Sequence, residues 1–145
     1  MTLSDWHFSQ SEYLSILSHA PLEAVKALAE DVLSTLGTIQ VLLNRTGLVM
    51  LPYTDNAQGT VFHLGEVLVA EAHIQIENGT QGYGMCLGRD QVAALGIAVL
   101  DAALSAQIMT EPILAFISAQ AEAQAEADKQ LLRAVESTRV EMQTF

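Results

Sequence analysis

The sequence predicts an α+β fold: a mainly antiparallel sheet of four to five strands, with two helices before it and two after. Three observations carry this reading. Apolar residues recur at helical spacing between Tyr13 and Leu36. From Thr38 to Leu87 the chain turns to β-branched and aliphatic runs broken by Gly, Asn and Asp. Beyond Asp90 helix formers return, and Ala, Glu and Gln dominate the last third.

Ser9 or Ser11 is placed to cap a first helix reaching about Ser18, because a serine hydroxyl can accept from the exposed N–H groups of a first turn. Pro21 suits the first turn of a second helix, since its fixed φ is helical and its missing N–H is no loss there. Leu22, Val25, Leu28, Ala29, Val32, Leu33 and Leu36 keep the helical period, and Gly37 ends it. Thr38–Leu43 and Leu48–Tyr53 then read as strands, with Thr46-Gly47 as the bend between them. Asp55–Gly59 reads as a loop and Thr60–Leu64 as a short strand. Glu66–Glu77 alternates, with Leu68, Ala70, Ala72, Ile74 and Ile76 on one face.

Asn78-Gly79 is the strongest hairpin signal, because both central positions of a type I′ turn need positive φ. A two-residue turn pairs Glu77 with Thr80, Ile74 with Tyr83, His73 with Gly84 and Ala72 with Met85. One face then carries Ile74, Ile76, Tyr83, Met85 and Leu87, and the other Glu71, His73, Gln75, Gly82, Gly84 and Cys86. Glycine weakens a strand, so Gly82 and Gly84 point either to another backbone packing close or to a ligand or subunit contact. Arg89-Asp90 opens a third helix to about Ala106, where Asp is favoured by capping and by the helix dipole. Glu111-Pro112 starts a last helix to about Ser137 whose middle offers little bulky surface to bury.

Composition narrows the function. The 145 residues fit a single domain spanning 1–145. Cys86 is the one cysteine, so neither an internal disulfide nor a cysteine zinc cluster is available. Net charge is −11, from 6 basic and 17 acidic residues, which disfavours nucleic acid and anionic lipid because phosphate binding draws on Lys and Arg. The longest run without an acid, Lys or Arg is Val32–Asn44, too short for the roughly 20 apolar residues of a membrane span. Met1–Gln10 lacks the basic-then-apolar pattern of a secretory signal, so a cytoplasmic location is expected. Only 16% of residues are charged while 50% are hydrophobic, and mean hydropathy is +0.30, so an apolar interface is expected beside the core.

No catalytic or metal-binding constellation is evident. His7, His19, His63 and His73 show no metal-ligand spacing, Cys86 lacks a basic neighbourhood, and no serine sits in a nucleophile elbow. Gly82, Gly84 and Gly88 lack the Gly-Lys-Ser/Thr ending of a phosphate loop. Arg89 is the best single candidate: its guanidinium can grip a phosphate or a partner carboxylate bidentately, or pair locally with Asp90 or Asp101. The candidate ligand or subunit contacts are Thr46, Gly47, Gly65, Glu66, His73, Gly82, Gly84, Gly88, Arg89 and Asp90, with no catalytic residue, metal or cofactor assigned.

The succession Thr46-Gly47-Leu48-Val49-Met50, Leu64-Gly65-Glu66-Val67, Gly82, Leu87-Gly88-Arg89-Asp90 and Leu100-Asp101-Ala102 resembles the PhnG family, the G subunit of the bacterial carbon–phosphorus (C–P) lyase system, from about Ser18 to Arg139. Two departures stand out. Arg45 stands where the family usually has Glu before Thr-Gly, and Thr138-Arg139-Val140-Glu141 is followed by Met142-Gln143-Thr144-Phe145 in place of the usual aromatic and Met-x-Arg-Gly tail.

The resemblance implies an accessory subunit that works with H, I and J partners and with an ATP-binding-cassette-like L protein. Together G, H and I would attach an alkylphosphonate to C1′ of ATP or GTP ribose with release of the base. The chemistry would rest mainly on the I subunit, and J would later break the C–P bond. The apolar excess, low charge and glycine-bearing strand point to binding of the I subunit through an apolar surface and the Gly82/Gly84 region. The rival readings are a self-associating small-anion-binding protein, with Arg89 holding the anion, and a stand-alone hydrolase.

Overall fold

The computed structural model describes residues 8–54 and 61–143, and the side chains of all of these except 51–64 and 137–143. The element order is α1 (Gln10–His19), α2 (Leu22–Leu36), β1 (Ile39–Thr54), β2 (Val61–Ile76), β3 (Gln81–Leu87), α3 (Gln91–Ser105) and α4 (Thr110–Gln143). The described residues therefore form an α+β fold with four helices, and the described sheet has three antiparallel strands in the order β1-β2-β3.

The expected four to five strands are corrected to three, for a local reason. Thr46-Gly47 is not a bend: Thr46 pairs with Ala70 and Gly47 with Val69 in the middle of an unbroken β1. Gly65 likewise does not separate two strands but sits at an irregularity in register within β2, where Leu51 faces Gly65 and Pro52 faces His63. At Gly65 a one-residue bulge absorbs what the sequence presents as a break, and Thr46-Gly47 pairs without interruption, so each pair of short strands fuses into one long strand. The loop expected at Asp55–Gly59 lies outside the described residues.

The β2–β3 register is also corrected by one residue. Ile76 N donates to Thr80 O at 2.9 Å and Gly79 N donates to Ile76 O at 2.9 Å, closing a three-residue loop. Gly79 sits at φ +90° and Asn78 Oδ1 accepts from Thr80 N at 2.9 Å. Asn-Gly thus serves the longer turn that ends in a left-handed glycine, not the two-residue type I′ turn. Ile74 then faces Gly82, His73 faces Tyr83 and Ala72 faces Gly84. Because side chains alternate, this slip exchanges every β3 side chain between faces. Gly82, Gly84 and Cys86 join Ala70, Ala72, Ile74 and Ile76 on the buried side, while Tyr83, Met85 and Leu87 join Glu71 and His73 on the other.

The buried side of the sheet receives α3, the centre of the molecule. Eleven of its residues are buried, from Ala93 and Ala94 through Gly96 to Leu104. Small side chains let it lie almost on the strand. A Cβ on Gly82 would fall 2.1 Å from Ala98 O, and one on Gly84 would fall 2.2 Å from Ala94 O. Asp90 caps α3 by accepting from Ala93 N at 3.0 Å. On the far side Val25 and Ala29 of α2 cross at Gly96, and Gly37 ends α2 at φ +77°. Ser9 caps α1, accepting from Glu12 N at 3.3 Å. The first turns of α4 bury Ile113, Leu114 and Ile117; farther on, Leu131, Leu132 and Val135 are exposed.

Candidate functional site

Among the described residues the sheet face turned away from α3 is open, and its register gathers a polar cluster. Arg45 of β1 stands directly opposite Glu71 of β2, and Tyr83 of β3 stands opposite His73. Arg45 Nε donates to Glu71 Oε1 at 2.7 Å, and the Tyr83 hydroxyl donates to Glu71 Oε2 at 2.7 Å. The His73 and Tyr83 rings meet edge-on, with centroids 6.5 Å apart and planes at 75°. Arg45, Gly47, Val49, Val69, Tyr83 and Met85 surround Glu71 in a shallow depression of about 380 Å³. A second depression of about 420 Å³ runs where α1 meets β3 and shares Tyr83 and Met85 with the first.

The electrostatics hold Glu71 and Tyr83 each in one protonation state. The Tyr83 hydrogen bond, with Arg45 beside it, holds the Glu71 carboxyl below its ordinary range. Burial, then the bond to Glu71 and its charge, pushes Tyr83 up to about 12. Tyr83 is thus a fixed donor and Glu71 a fixed acceptor with both oxygens engaged. Such a pair recognises and orients; it has no proton to exchange near neutral pH.

Behind the same strand lies a second cluster, centred on a buried carboxylate. Asp101 of α3 is 1% exposed. Its carboxylate accepts from the Tyr13 hydroxyl, from Gln10 Nε2 at 3.3 Å to each oxygen, and from the Tyr83 backbone N–H at 2.8 Å. Burial, then the bond to Asp101 and its charge, raises the Tyr13 hydroxyl pKa well above its ordinary value. Tyr83 therefore joins the two clusters, its amide on Asp101 and its hydroxyl on Glu71.

The residues singled out from sequence fall in different places. Thr46 and Gly47 lie in mid-β1, and nothing comes within 4 Å of a Cβ on Gly47. Gly47, Val69 and Leu87 share one row across the sheet, so the Thr46-Gly47 and Leu87-Gly88-Arg89-Asp90 segments lie about two strand spacings, roughly 10 Å, apart. Gly88, at φ +97°, closes that row by donating to Leu68 O at 2.8 Å. Gly65 and Glu66 are exposed farther along the β1–β2 ribbon. His73 is on the open face beside Tyr83. Gly82 and Gly84 are buried under α3, so the structure gives them the close-packing role and leaves them no surface for a ligand or subunit.

Arg89 is exposed, and neither acid weighed as its partner is turned to it. Asp90 Oδ2 pairs with Lys26 at 2.7 Å, and Asp101 is interior. The Asp90 carboxylate, kept below its ordinary range first by Lys26 and then by Ala93 N, already fills the anion position at the start of α3. Cys86 faces the helices, and burial followed by the Asp90 charge raises its thiol pKa. Among the described residues no three His, Cys, Asp or Glu side chains converge as a metal site, and no helix is long and apolar enough to cross a membrane.

Glu71, Tyr83, Tyr13 and Gln10 are the interacting residues that sequence reasoning passed over. Glu71 and Tyr83 become neighbours only in the correct hairpin register. The Asp101 partners could not be found by spacing, because Tyr13 lies 88 positions away and Tyr83 lies 18.

The fold and the site define a class of small α+β domain that fixes a donor–acceptor cluster on an open sheet face beside exposed apolar side chains. Within that class its family is shown by sequence: the family of the phosphonate metabolism protein PhnG matches residues 9–145, and the chain belongs to it. The alpha-D-ribose 1-methylphosphonate 5-triphosphate synthase subunit PhnG of Rhizobium meliloti (strain 1021) is 39% identical over 57 residues. That stretch covers 39% of this chain and 36% of the relative, so the alignment spans about a third of the curated protein.

Proposed function

We propose that this chain is an accessory subunit of the C–P lyase core complex, with no independent activity. In the reaction it would support, a phosphonate oxygen bonds to C1′ of ATP or GTP ribose. The C1′–N bond to the base breaks, and the base leaves with its electron pair and takes up a proton. Family membership supports this reading, as does the name of the relative, a subunit of the ribose methylphosphonate triphosphate synthase. The observation that carries it is the open face itself. Its one carboxylate is spent on Arg45 and Tyr83, and apolar Val49, Met85 and Leu87 stand exposed around it, which suits docking better than acid–base chemistry.

The partners are the H, I and J subunits, with L as an associate, and the I subunit carries the nucleosidase-type step. The contact surface expected at Gly82 and Gly84 is reassigned to the outward residues of the same strand, Tyr83, Met85 and Leu87. A cytoplasmic location goes with this role.

The test is co-expression with the H and I partners, followed by base release from ATP with and without methylphosphonate. Ribose phosphonate formed only when this chain is present supports the accessory role. Product formed by the isolated chain, or by the partners without it, overturns that role.

A further inference from the structure

Tyr83 stands in an edge strand, and its backbone N–H points away from β2. In the β2–β3 ladder Ile76 N donates to Thr80 O and Gly88 N to Leu68 O. Bonded and unbonded pairs alternate along antiparallel strands. Gly82 and Gly84 therefore turn their peptide groups to β2, and Tyr83, opposite His73, turns its own outward. An outward N–H on an edge strand is ordinarily left to water or to another strand. This one is taken by the Asp101 carboxylate at 2.8 Å, and Asp101 is 1% exposed. A charged acceptor makes that bond stronger than a neutral one.

We propose that Asp101 is the positioning residue of the open-face cluster, acting on it through Tyr83. Three bonds run from the interior to solvent: the Tyr83 amide to Asp101 at 2.8 Å, the Tyr83 hydroxyl to Glu71 at 2.7 Å, and Arg45 to Glu71 at 2.7 Å. The middle one depends on where the Tyr83 Cα–Cβ bond points. Gly82 and Gly84 on either side leave the backbone torsions free, so the neighbours do not set that direction. The bond to Asp101 does, because it fixes the peptide plane from which the side chain departs. A binding constellation needs its groups held to within about 0.5 Å and 10–20°, and hydrogen bonds from behind supply that restraint. Asp101 is itself held from the other side by Tyr13 and Gln10 of α1. The geometry that the open face presents is thus set in the interior. The inference rests on the docking role proposed above for what the cluster serves, and on the three bonds for how it is held.

The test is the ionisation of Tyr83, read by ultraviolet titration of the full chain with Tyr83→Phe identifying the transition. Asp101→Asn should move it from about 12 part of the way toward 10. Loss of a nearby negative charge has the same sign, so the change is repeated in a Glu71→Ala background. There the hydroxyl has no Glu71 bond to lose, and Asp101→Asn should move the transition no further. An equal shift in both backgrounds would mark a charge effect and overturn the proposal, and so would no shift in either.

If Asp101→Asn fails to fold, the surface end of the chain of bonds serves, because coupling within one network is reciprocal. Glu71→Ala should then speed amide exchange at Tyr83 about twofold or more, with Gly84 unchanged. Unaltered exchange at Tyr83, or an equal rise at Gly84, would overturn the proposal. Both readings use the chain alone. A chain that passes them and yet fails to join the H and I partners overturns the function proposed above and leaves this inference standing.

Discussion

The backbone N–H of Tyr83 donates to the Asp101 carboxylate at 2.8 Å, across the seam where β3 meets α3. Glycines flank Tyr83 on both sides and bring the strand close enough for that bond. The carboxylate then reaches outward to Tyr13 and Gln10 of α1. One buried charge thereby ties an edge strand, the central helix and the N-terminal helix, and each of its bonds to a donor offsets part of the cost of burying it.

Asp101→Ala should accordingly loosen the N-terminal helix as well as the core. It strands the Tyr83 amide and takes one partner from the Tyr13 hydroxyl, and a buried donor left unsatisfied costs about 1–3 kcal/mol. A loss of roughly 2–4 kcal/mol is expected in urea unfolding, with faster amide exchange in α1. Asp101→Asn keeps one acceptor and should lose less. Equal losses in the two variants would deny the carboxylate its organising role.

Gly84→Ala and Gly47→Ala make a controlled pair. At Gly84 the new methyl would lie 2.2 Å from Ala94 O and 2.6 Å from Ala98 N, so α3 would have to lift off the sheet. That should cost at least about 3 kcal/mol or prevent folding. At Gly47 the methyl meets nothing within 4 Å, and the change should stay within about 0.5 kcal/mol. Thermal melts of the two variants check both halves.

These two glycines also show where the sequence was legible. Capped helix ends were, because capping is local: Ser9, Pro21, Gly37 and Asp90 each stand at a terminus expected of them, whereas α4, expected to end at about Ser137 with no cap to mark it, runs to Gln143. Strand breaks were not, because glycine marks a bend, a bulge or a close approach with the same letter. Gly47 proved to be none of these, Gly65 sits at a bulge, and Gly82 and Gly84 are close approaches. The register of β3 was lost on one residue of turn length, and with it the contact of Tyr83 with Glu71. Asp101 was visible as part of a motif, but its partners are set by tertiary packing, which no spacing rule reaches.

Gln107 offers a stabilising change. Ile108 N donates to Ala103 O at 2.8 Å and Gln107 N to Leu104 O at 3.1 Å, the paired bonds that end a helix through a left-handed residue. Gln107 fills that left-handed position, at φ +60°. A left-handed conformation costs a side-chain-bearing residue about 1–2 kcal/mol. Gln107→Gly should therefore raise stability by about 0.5–1 kcal/mol after the extra entropy of glycine in the unfolded chain is deducted. A lowered melting temperature would contradict this.

The open-face cluster should show itself in tyrosine titration. Tyr83 ionises near 12 in the fold against an ordinary 10.0. Its folded value is raised, so its contribution to stability is whole below pH 10 and is lost as pH climbs from 10 through about 12. Glu71 has the opposite sign. Its folded value is lowered from 4.5, so its contribution is whole above that pH and is lost as pH falls below it. Glu71→Ala should bring the Tyr83 ionisation part of the way back toward 10, because burial, the larger cause, remains. Ultraviolet titration of the variant against the parent, with Tyr83→Phe identifying the transition, measures it.

Exchanging the charges of Arg45 and Glu71 tests whether that pair is a matter of position or of sign. They stand directly opposite across β1 and β2, joined at 2.7 Å, with the Arg45 side chain 64% exposed. Solvent screens a pair that open, so its contribution should be small, about 0.2–1 kcal/mol. Arg45→Glu alone sets two carboxylates face to face and should cost about that much, and Glu71→Arg alone does the same with two cations while also removing the acceptor of Tyr83. The double variant Arg45→Glu, Glu71→Arg restores attraction across the strands but cannot restore the Tyr83 bond, because arginine has no acceptor. Stability of the double variant should therefore exceed that of Glu71→Arg and fall short of the parent, and Tyr83 should titrate closer to its ordinary value. Full recovery of stability would mean that the tyrosine bond contributes nothing, and no recovery would mean that the Arg45–Glu71 pair does not.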